Sequence, residues 1–231
     1  MRKLLSVVIT FVLLFSVVPL GSLMKIKKKG KQLFAVLISI AMIITTLPLA
    51  NALTTEFAGG CGTEADPYLI ETKEHLNNVR NDLNAHYKMI ANIVFTDADF
   101  VEGGDFYNNQ IGWLPLGQAY NAPFNGTFDG NGFAIVGLFT SSLGLFGINN
   151  STIMNLAVVN GSVTVTTVSL SAGGIVGNNS GIISNCYSSM TVSSKYYSGG
   201  IAGENSGIIT NCYNLGNIIE GQNSSSISGG I

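Results

Sequence analysis

Side chains suited to chemistry are few along this chain, and their spacing decides what they could do. Carboxylates crowd one stretch, TDADFVEGGDF (residues 96–106), which holds Asp97, Asp99, Glu102 and Asp105. Hard oxygen donors at short spacing beside glycines are what a calcium ion takes. The spacing is not that of an EF-hand loop, and the alternative is a solvated acidic loop. Downstream the remaining carboxylates are Asp129, Glu204 and Glu220. Acid–base cleavage of a polysaccharide needs carboxylates converging on one face. These three do not recur at equivalent repeat positions, and Asp129-Gly-Asn-Gly132 reads as a turn. No catalytic residue and no enzyme activity are therefore expected of the chain.

His75 and His86 have no partner at ligand spacing, so zinc is not expected. They read as packing or surface residues. Cys186 and Cys212 occupy the same place in two near-identical segments. Adjacent strands bring such positions within disulfide range. Parallel stacking aims both side chains the same way, which favours buried free thiols, with the disulfide as the alternative. Cys61 follows Ala-Gly-Gly, as a lipid-anchored cysteine would, but stands far beyond any apolar run. Tyr187, Tyr196, Tyr197 and Tyr213 form a candidate aromatic strip for sugar, since aromatic faces pack on apolar surface. The alternative is that they cover corners of the fold. No cofactor-binding or metal residue is assigned, and calcium on the acidic stretch is the one cofactor considered.

The elements that position these residues come from a repeat. GGIVGNNSGIISNCY (residues 173–187) returns as GGIAGENSGIITNCY (residues 199–213), with twelve of fifteen letters unchanged. The step is 26 residues, and the next Gly pair, Gly229-Gly230, lies 30 further on. Backwards, Gly144-Leu-Phe-Gly147 precedes Gly174-Ile-Val-Gly177 by 30, and GFAIVGLF (residues 132–139) is a weaker echo. Each unit is a set of short β-prone runs separated by Gly and Asn. A long period with near-identical units favours one coil per repeat, each strand parallel to its copy in the next coil. Ile183 then stacks on Ile209, Asn185 on Asn211, Cys186 on Cys212 and Tyr187 on Tyr213. Asparagines bond along the stack and tolerate the bends, and glycines allow positive φ or close approach at corners.

Before the coils, TKEHLNNVRNDLN (residues 72–84) puts Leu76, Val79 and Leu83 on one helical face, with Thr72 as N-cap. YKMIANIVF (residues 87–95) reads as one strand. Together they would cap the open end of the solenoid.

Charge is segregated. Seven of the 11 basic residues lie in the first 31 positions, and all 13 acidic residues lie after position 52. Residues 24–52 read as a signal peptide: a Lys-rich start, an apolar run, then Ala50-Asn51-Ala52 as the cleavage site. The other reading of that run is an uncleaved anchor. The apolar segment in residues 1–23 is either untranslated, with Met24 as the natural start, or a membrane span. Beyond residue 52 the net charge is −9, which argues against nucleic acid and anionic lipid as partners.

The G-G-I-V-G-x-N-S-G-I-I-S-N-C-Y pattern resembles the GLUG motif of bacterial and archaeal cell-surface proteins. GTEADPYLIETKEHL (residues 62–76), NDLNAHYKMIANI (81–93), GWLPLG (112–117) and FNGTFDGNGFAIVGLF (124–139) resemble the region that often precedes such repeats. The resemblance implies an exported surface protein with a right-handed parallel β-helix, and no shared catalytic residues, because the recurring residues are structural. Such repeats also accompany catalytic domains of IgA-cleaving metallopeptidases.

The expected architecture is thus all-β. A right-handed parallel β-helix (solenoid) occupies 112–231, with repeats at 173–198 and 199–228 and a truncated third from 229. An N-terminal cap, 53–111, contains one short α-helix, and a signal or transmembrane helix precedes it. The expected function is an exported cell-surface or secreted module, structural or adhesive, with an extracellular glycan or protein as partner and membrane anchoring through the N-terminal apolar segments. The alternative is the N-terminal non-catalytic part of a larger secreted hydrolase or peptidase.

Overall fold

A computed structural model describes residues 56–167, 170–220 and 227–229. The expected signal run and the apolar segment before it lie outside these residues. Among the described residues no helix is long and apolar enough to cross a membrane.

The chain is mostly β and winds as a solenoid of parallel strands. Five ladders run along it, and every strand pairing between them is parallel. One coil shows the rule. Val176–Asn179, Ile182–Ser184, Tyr187–Ser188, Thr191–Ser194 and Tyr197–Gly199 each join a different ladder. The next coil begins at Ala202–Asn205, directly on Val176–Asn179. Runs this short cannot pair alone, and each gains partners only from the coils above and below. The longest ladder has six strands, ending in Thr152–Met154, Ile182–Ser184 and Ile208–Thr210.

The register is the one the repeats require. Ile183 is the Cα partner of Ile209 and of Ile153, and Tyr187 is the partner of Tyr213. The two step lengths have a local cause. By register Val165 meets Ser194 and Ala172 meets Ser198, so a connector of six residues, 166–171, faces one of three, 195–197. One further residue is lost at the preceding bend, where 159–161 faces 189–190, and the two together make the difference between steps of 30 and 26.

Asparagine and glycine do different jobs at the bends. Asn131, Asn155, Asn160, Asn185 and Asn211 all adopt φ between 51° and 54°, the left-handed region that asparagine tolerates best after glycine. The glycines of the repeat proper serve close approach instead. A Cβ on Gly199 would stand 1.8 Å from the Ala202 carbonyl oxygen, and one on Gly173 1.9 Å from that of Val176.

Inside, one apolar column fills the coils. Ile153, Ile183, Val163, Val192, Ile175 and Ile201 are fully buried, each worth about 1.5–3 kcal/mol of burial. Towards the N-terminus the filling turns aromatic. Phe57 stacks on Tyr68 at 4.2 Å between centroids, and Phe95 meets Trp113 edge-on at 5.8 Å. The Trp113 indole donates to the Leu145 carbonyl at 3.1 Å, and the Arg80 guanidinium covers its ring at 5.3 Å.

Two local expectations change. The helix is short: α1 covers Lys73–Asn78, a 3-10 turn covers Val79–Asn81, and Asp82 leaves in extended geometry. Thr72 caps α1 by accepting from the His75 amide at 3.2 Å, and Leu76 and Val79 are buried as expected. Leu83 lies past the helix, where its carbonyl accepts from Asn125 and Gly126. The run 87–95 is two strands, His86–Met89 and Ile93–Val94, on different ladders. Its corner is held by Asn92, whose side-chain oxygen accepts from the Ala134 amide at 2.8 Å. Strands upstream of residue 112 therefore already belong to the parallel ladders.

Candidate functional site

A cleft of about 550 Å³ opens beside the strands Val176–Asn179 and Ala202–Asn205. Tyr120, Asn150, Asn178, Tyr196, Tyr197 and Glu204 line it. Tyr120 stands on a turn closed by an Ala119–Ala122 bridge, and the residue is 80% exposed. Tyr196 stands on the corner and Tyr197 opens the strand Tyr197–Gly199, with their rings 4.0 Å apart and inclined by 51°. Hydrogen bonding with Tyr197 pushes the Tyr196 phenol above its ordinary pKa.

Asn178 is the focus of the cleft. Its side-chain nitrogen donates to the Tyr120 hydroxyl at 2.8 Å, while its side-chain oxygen is buried with no partner. Turning the amide over would exchange the two atoms and still leave one unsatisfied. A buried polar atom without a partner costs about 1–3 kcal/mol. In the next coil the equivalent position is Glu204, whose carboxylate accepts from the Ser171 hydroxyl at 2.6 Å.

The four tyrosines read as one strip fall into two places. Tyr196 and Tyr197 enter the cleft. Tyr187 and Tyr213 stack on each other elsewhere, 5.1 Å apart and 3° from parallel, on a separate ladder. Tyr120 and Asn178, 58 residues apart, were not legible as partners. One signal was there. Asn178 and Glu204 stand at one of the three positions where the twin segments differ, and difference within a repeat marks positions the stack does not dictate.

Asp99 is committed within the fold. It pairs with Lys73 at 2.6 Å and closes a capping box with Thr96 at the start of α2, Asp97–Phe100. Burial opposes its charge, but the hydrogen bonds from Lys73 and Thr96 prevail and hold its carboxyl below the ordinary range. Asp97, Glu102 and Asp105 are exposed. Among the described residues no three of His, Cys, Asp and Glu gather where they could hold a metal ion.

Asp129 ends a column of side-chain amides in which Asn211 donates to Asn185, Asn185 to Asn155, and Asn155 to Asp129. A second column runs from Asn149 to Asn179 to Asn205. Glu220 lies on the strand Ile218–Glu220, on a different ladder from both Asp129 and Glu204. His75 is buried beside Phe57, its Nδ1 accepting from the Glu71 amide at 3.3 Å, and His86 lies in a strand.

The cysteines are free: Cys61 exposed, Cys186 buried and Cys212 half-buried. The Cys186 amide donates to Cys212 Sγ at 3.4 Å. Hydrogen bonding with Cys186 lowers the Cys212 thiol to about 7, and the same contact, with burial, pushes the Cys186 thiol up.

Residues 169–193 and 195–219 match the family described as the GLUG motif. The chain carries two GLUG repeats. It is 38% identical over 146 residues to a protein provisionally named Gly-rich membrane protein from Evansella cellulosilytica, covering 59% of this chain and 16% of that one. It is 32% identical over 151 residues to Halomucin from Haloquadratum walsbyi, covering 61% of this chain and 2% of that one. The chain thus spans a small part of both relatives. A solved structure provisionally named an immunoglobulin A1 protease, from Bacteroides ovatus, superposes with a TM-score of 0.45 at 21% identity, over 70% of this chain and 60% of that one. A superposition this loose says nothing of shared activity.

Proposed function

We propose that this chain is an exported cell-surface module, a right-handed parallel β-helix that binds glycan chains laterally in the cleft between Tyr120 and Tyr197. The cleft carries the reading. Tyrosine rings offer flat faces for the C–H surfaces of a sugar, and the asparagines and Glu204 that line the same cleft supply hydrogen-bonding groups for its hydroxyls. GLUG repeats and the names of the two relatives support a surface location, and anchoring falls to the apolar segments within residues 1–52. The net charge of −9 beyond residue 52 disfavours nucleic acid.

The test is affinity electrophoresis of the full chain in gels containing soluble neutral or acidic polysaccharides. The expected result is retardation by at least one polysaccharide, weakened about tenfold by Tyr197→Ala, the loss of one stacking contact worth about 1.4 kcal/mol. Migration unaffected by every polysaccharide, or retardation untouched by Tyr197→Ala, overturns the reading. A second reading makes the module the non-catalytic part of a larger secreted hydrolase or peptidase. The length of the relatives, of which this chain aligns with 16% and 2%, favours a place within a larger protein.

A further inference from the structure

Five N-x-S/T triplets lie among the described residues, at Asn125, Asn149, Asn150, Asn160 and Asn178. That triplet is the acceptor signal for N-linked sugar on exported chains. The signal is short, and a chain rich in Asn and Ser carries it by chance, so geometry must choose among the five. Asn149 is fully buried and donates to Asn179 at 2.8 Å. The Asn178 amide donates to Tyr120, also at 2.8 Å, and that of Asn125 to Asn84 at 3.1 Å. Asn150 is exposed but lines the cleft. Asn160 is exposed, does not line the cleft, and its side-chain amide has no hydrogen-bond partner among the described residues.

Asn160 turns the chain between Ala157–Val159 and Ser162–Val165 at φ 54°. Its main-chain N–H donates to the Ser189 hydroxyl at 3.2 Å. Asn131, Asn155, Asn185 and Asn211 make the same left-handed bend, and each donates its side-chain amide to the fold. The stack uses those four amides and leaves that of Asn160 spare. Both strands flanking Asn160 have a parallel neighbour on each side. Its exposure is therefore lateral, in the middle of the stack, and owes nothing to an open end. Ser162, two residues on, alternates with the buried Val163 and Val165 and so faces outward.

We propose that Asn160 is an N-glycan acceptor, taking an oligosaccharide from a polyprenyl-phosphate-linked donor, with the Ser162 hydroxyl as the group the transferase reads. The inference rests on the exported location proposed above, because the triplet is used on secreted chains. Asn160 Nδ2 forms a bond to the anomeric carbon of the donor sugar. The bond from that carbon to the phosphate oxygen breaks, and the carrier leaves as its phosphate with the electron pair. The proton lost by Nδ2 passes to that phosphate, and nothing is oxidised or reduced. The backbone keeps its bend, and no hydrogen bond of the stack is given up.

The experiment incubates the folded full chain, in detergent, with a single-subunit oligosaccharyltransferase that reads N-x-S/T and its lipid-linked oligosaccharide. A short Asn-Gly-Ser peptide in a parallel reaction confirms turnover. The expected product has gained one oligosaccharide, mapped to Asn160 by peptide mass. Ser162→Ala should abolish the gain and Ser162→Thr should keep it, although both retain the asparagine and its bend. Asn160→Gln should abolish it too, and Ser162→Ala decides the result even if Asn160→Gln folds poorly. A chain left unmodified while the peptide reacts, sugar found only on other asparagines, or sugar still on Asn160 in Ser162→Ala overturns the proposal. Purified components make the outcome independent of export and of binding in the cleft, so its failure would leave that reading standing.

Discussion

Asn185 sits at φ 53°, donates to Asn155 at 3.2 Å and accepts from Asn211 at 3.3 Å. Two demands meet in one residue: a left-handed backbone and a side chain that bonds both along and against the chain direction. Alanine meets neither, so Asn185→Ala should cost about 1–2 kcal/mol from handedness alone. Asn185→Gly should recover part of that loss, because glycine restores the bend and not the column. Urea midpoints of the three proteins check the order, and Asn185→Ala as stable as the parent would sink the account. Glycines separate by the same logic. Gly199→Ala places a Cβ 1.8 Å from a carbonyl oxygen, whereas Gly132→Ala meets nothing within 4 Å but must hold φ 80°. The first should cost about 3 kcal/mol as overpacking and the second about 1–2 kcal/mol, read from thermal midpoints.

Elements here are strands of two to four residues, so their stability depends on which side chains face inward. Ile183 is fully buried and Ile182 is 41% exposed, though they are neighbours in Ile182–Ser184. Ile183→Ala should lose about 2–5 kcal/mol, and Ile182→Ala under about 1 kcal/mol. Equal losses would mean that the inward column is not what holds the coils. At the other end, α1 and α2 are tied by Lys73 and Asp99. Asp99 has a folded pKa below its ordinary 3.8. Its contribution is therefore complete above about pH 4 and fades as pH falls through the lower folded value. The parent should lose more stability than Asp99→Asn between pH 4 and pH 2, measured by guanidinium melts, and parallel curves would contradict the assignment.

For the molecule as a whole, stability is a sum over neighbouring coils. Ile182–Ser184 has a parallel strand on each side, whereas Ile218–Glu220, among the described residues, has one. Amides of the first should exchange with deuterium more slowly than those of the second, and a reversed order would exclude a stack that opens from its edge. This layered arrangement was readable in advance wherever one coil copies another. The partners of Ile183, Asn185 and Tyr187 followed from the spacing of the twin segments, because parallel stacking puts like on like. The aromatic N-terminal coils and the cleft were not. Tyr120 reaches Asn178 across 58 residues through a loop with no copy, and the break at Asn92 depends on a bond to Ala134. Non-repeated contacts leave no period in a sequence, and the candidate site is made of them.

The two asparagine columns have one more property. From Asn211 to Asp129 each amide donates towards the earlier coil, and from Asn149 to Asn205 each donates towards the later one. Each column is a row of aligned dipoles, and the two rows point in opposite directions along the axis. The positive end of the first meets the carboxylate of Asp129, which answers it. A stack built this way can be lengthened coil by coil, strengthening its hydrogen bonds through mutual polarisation, while the opposed rows keep a net axial field from accumulating.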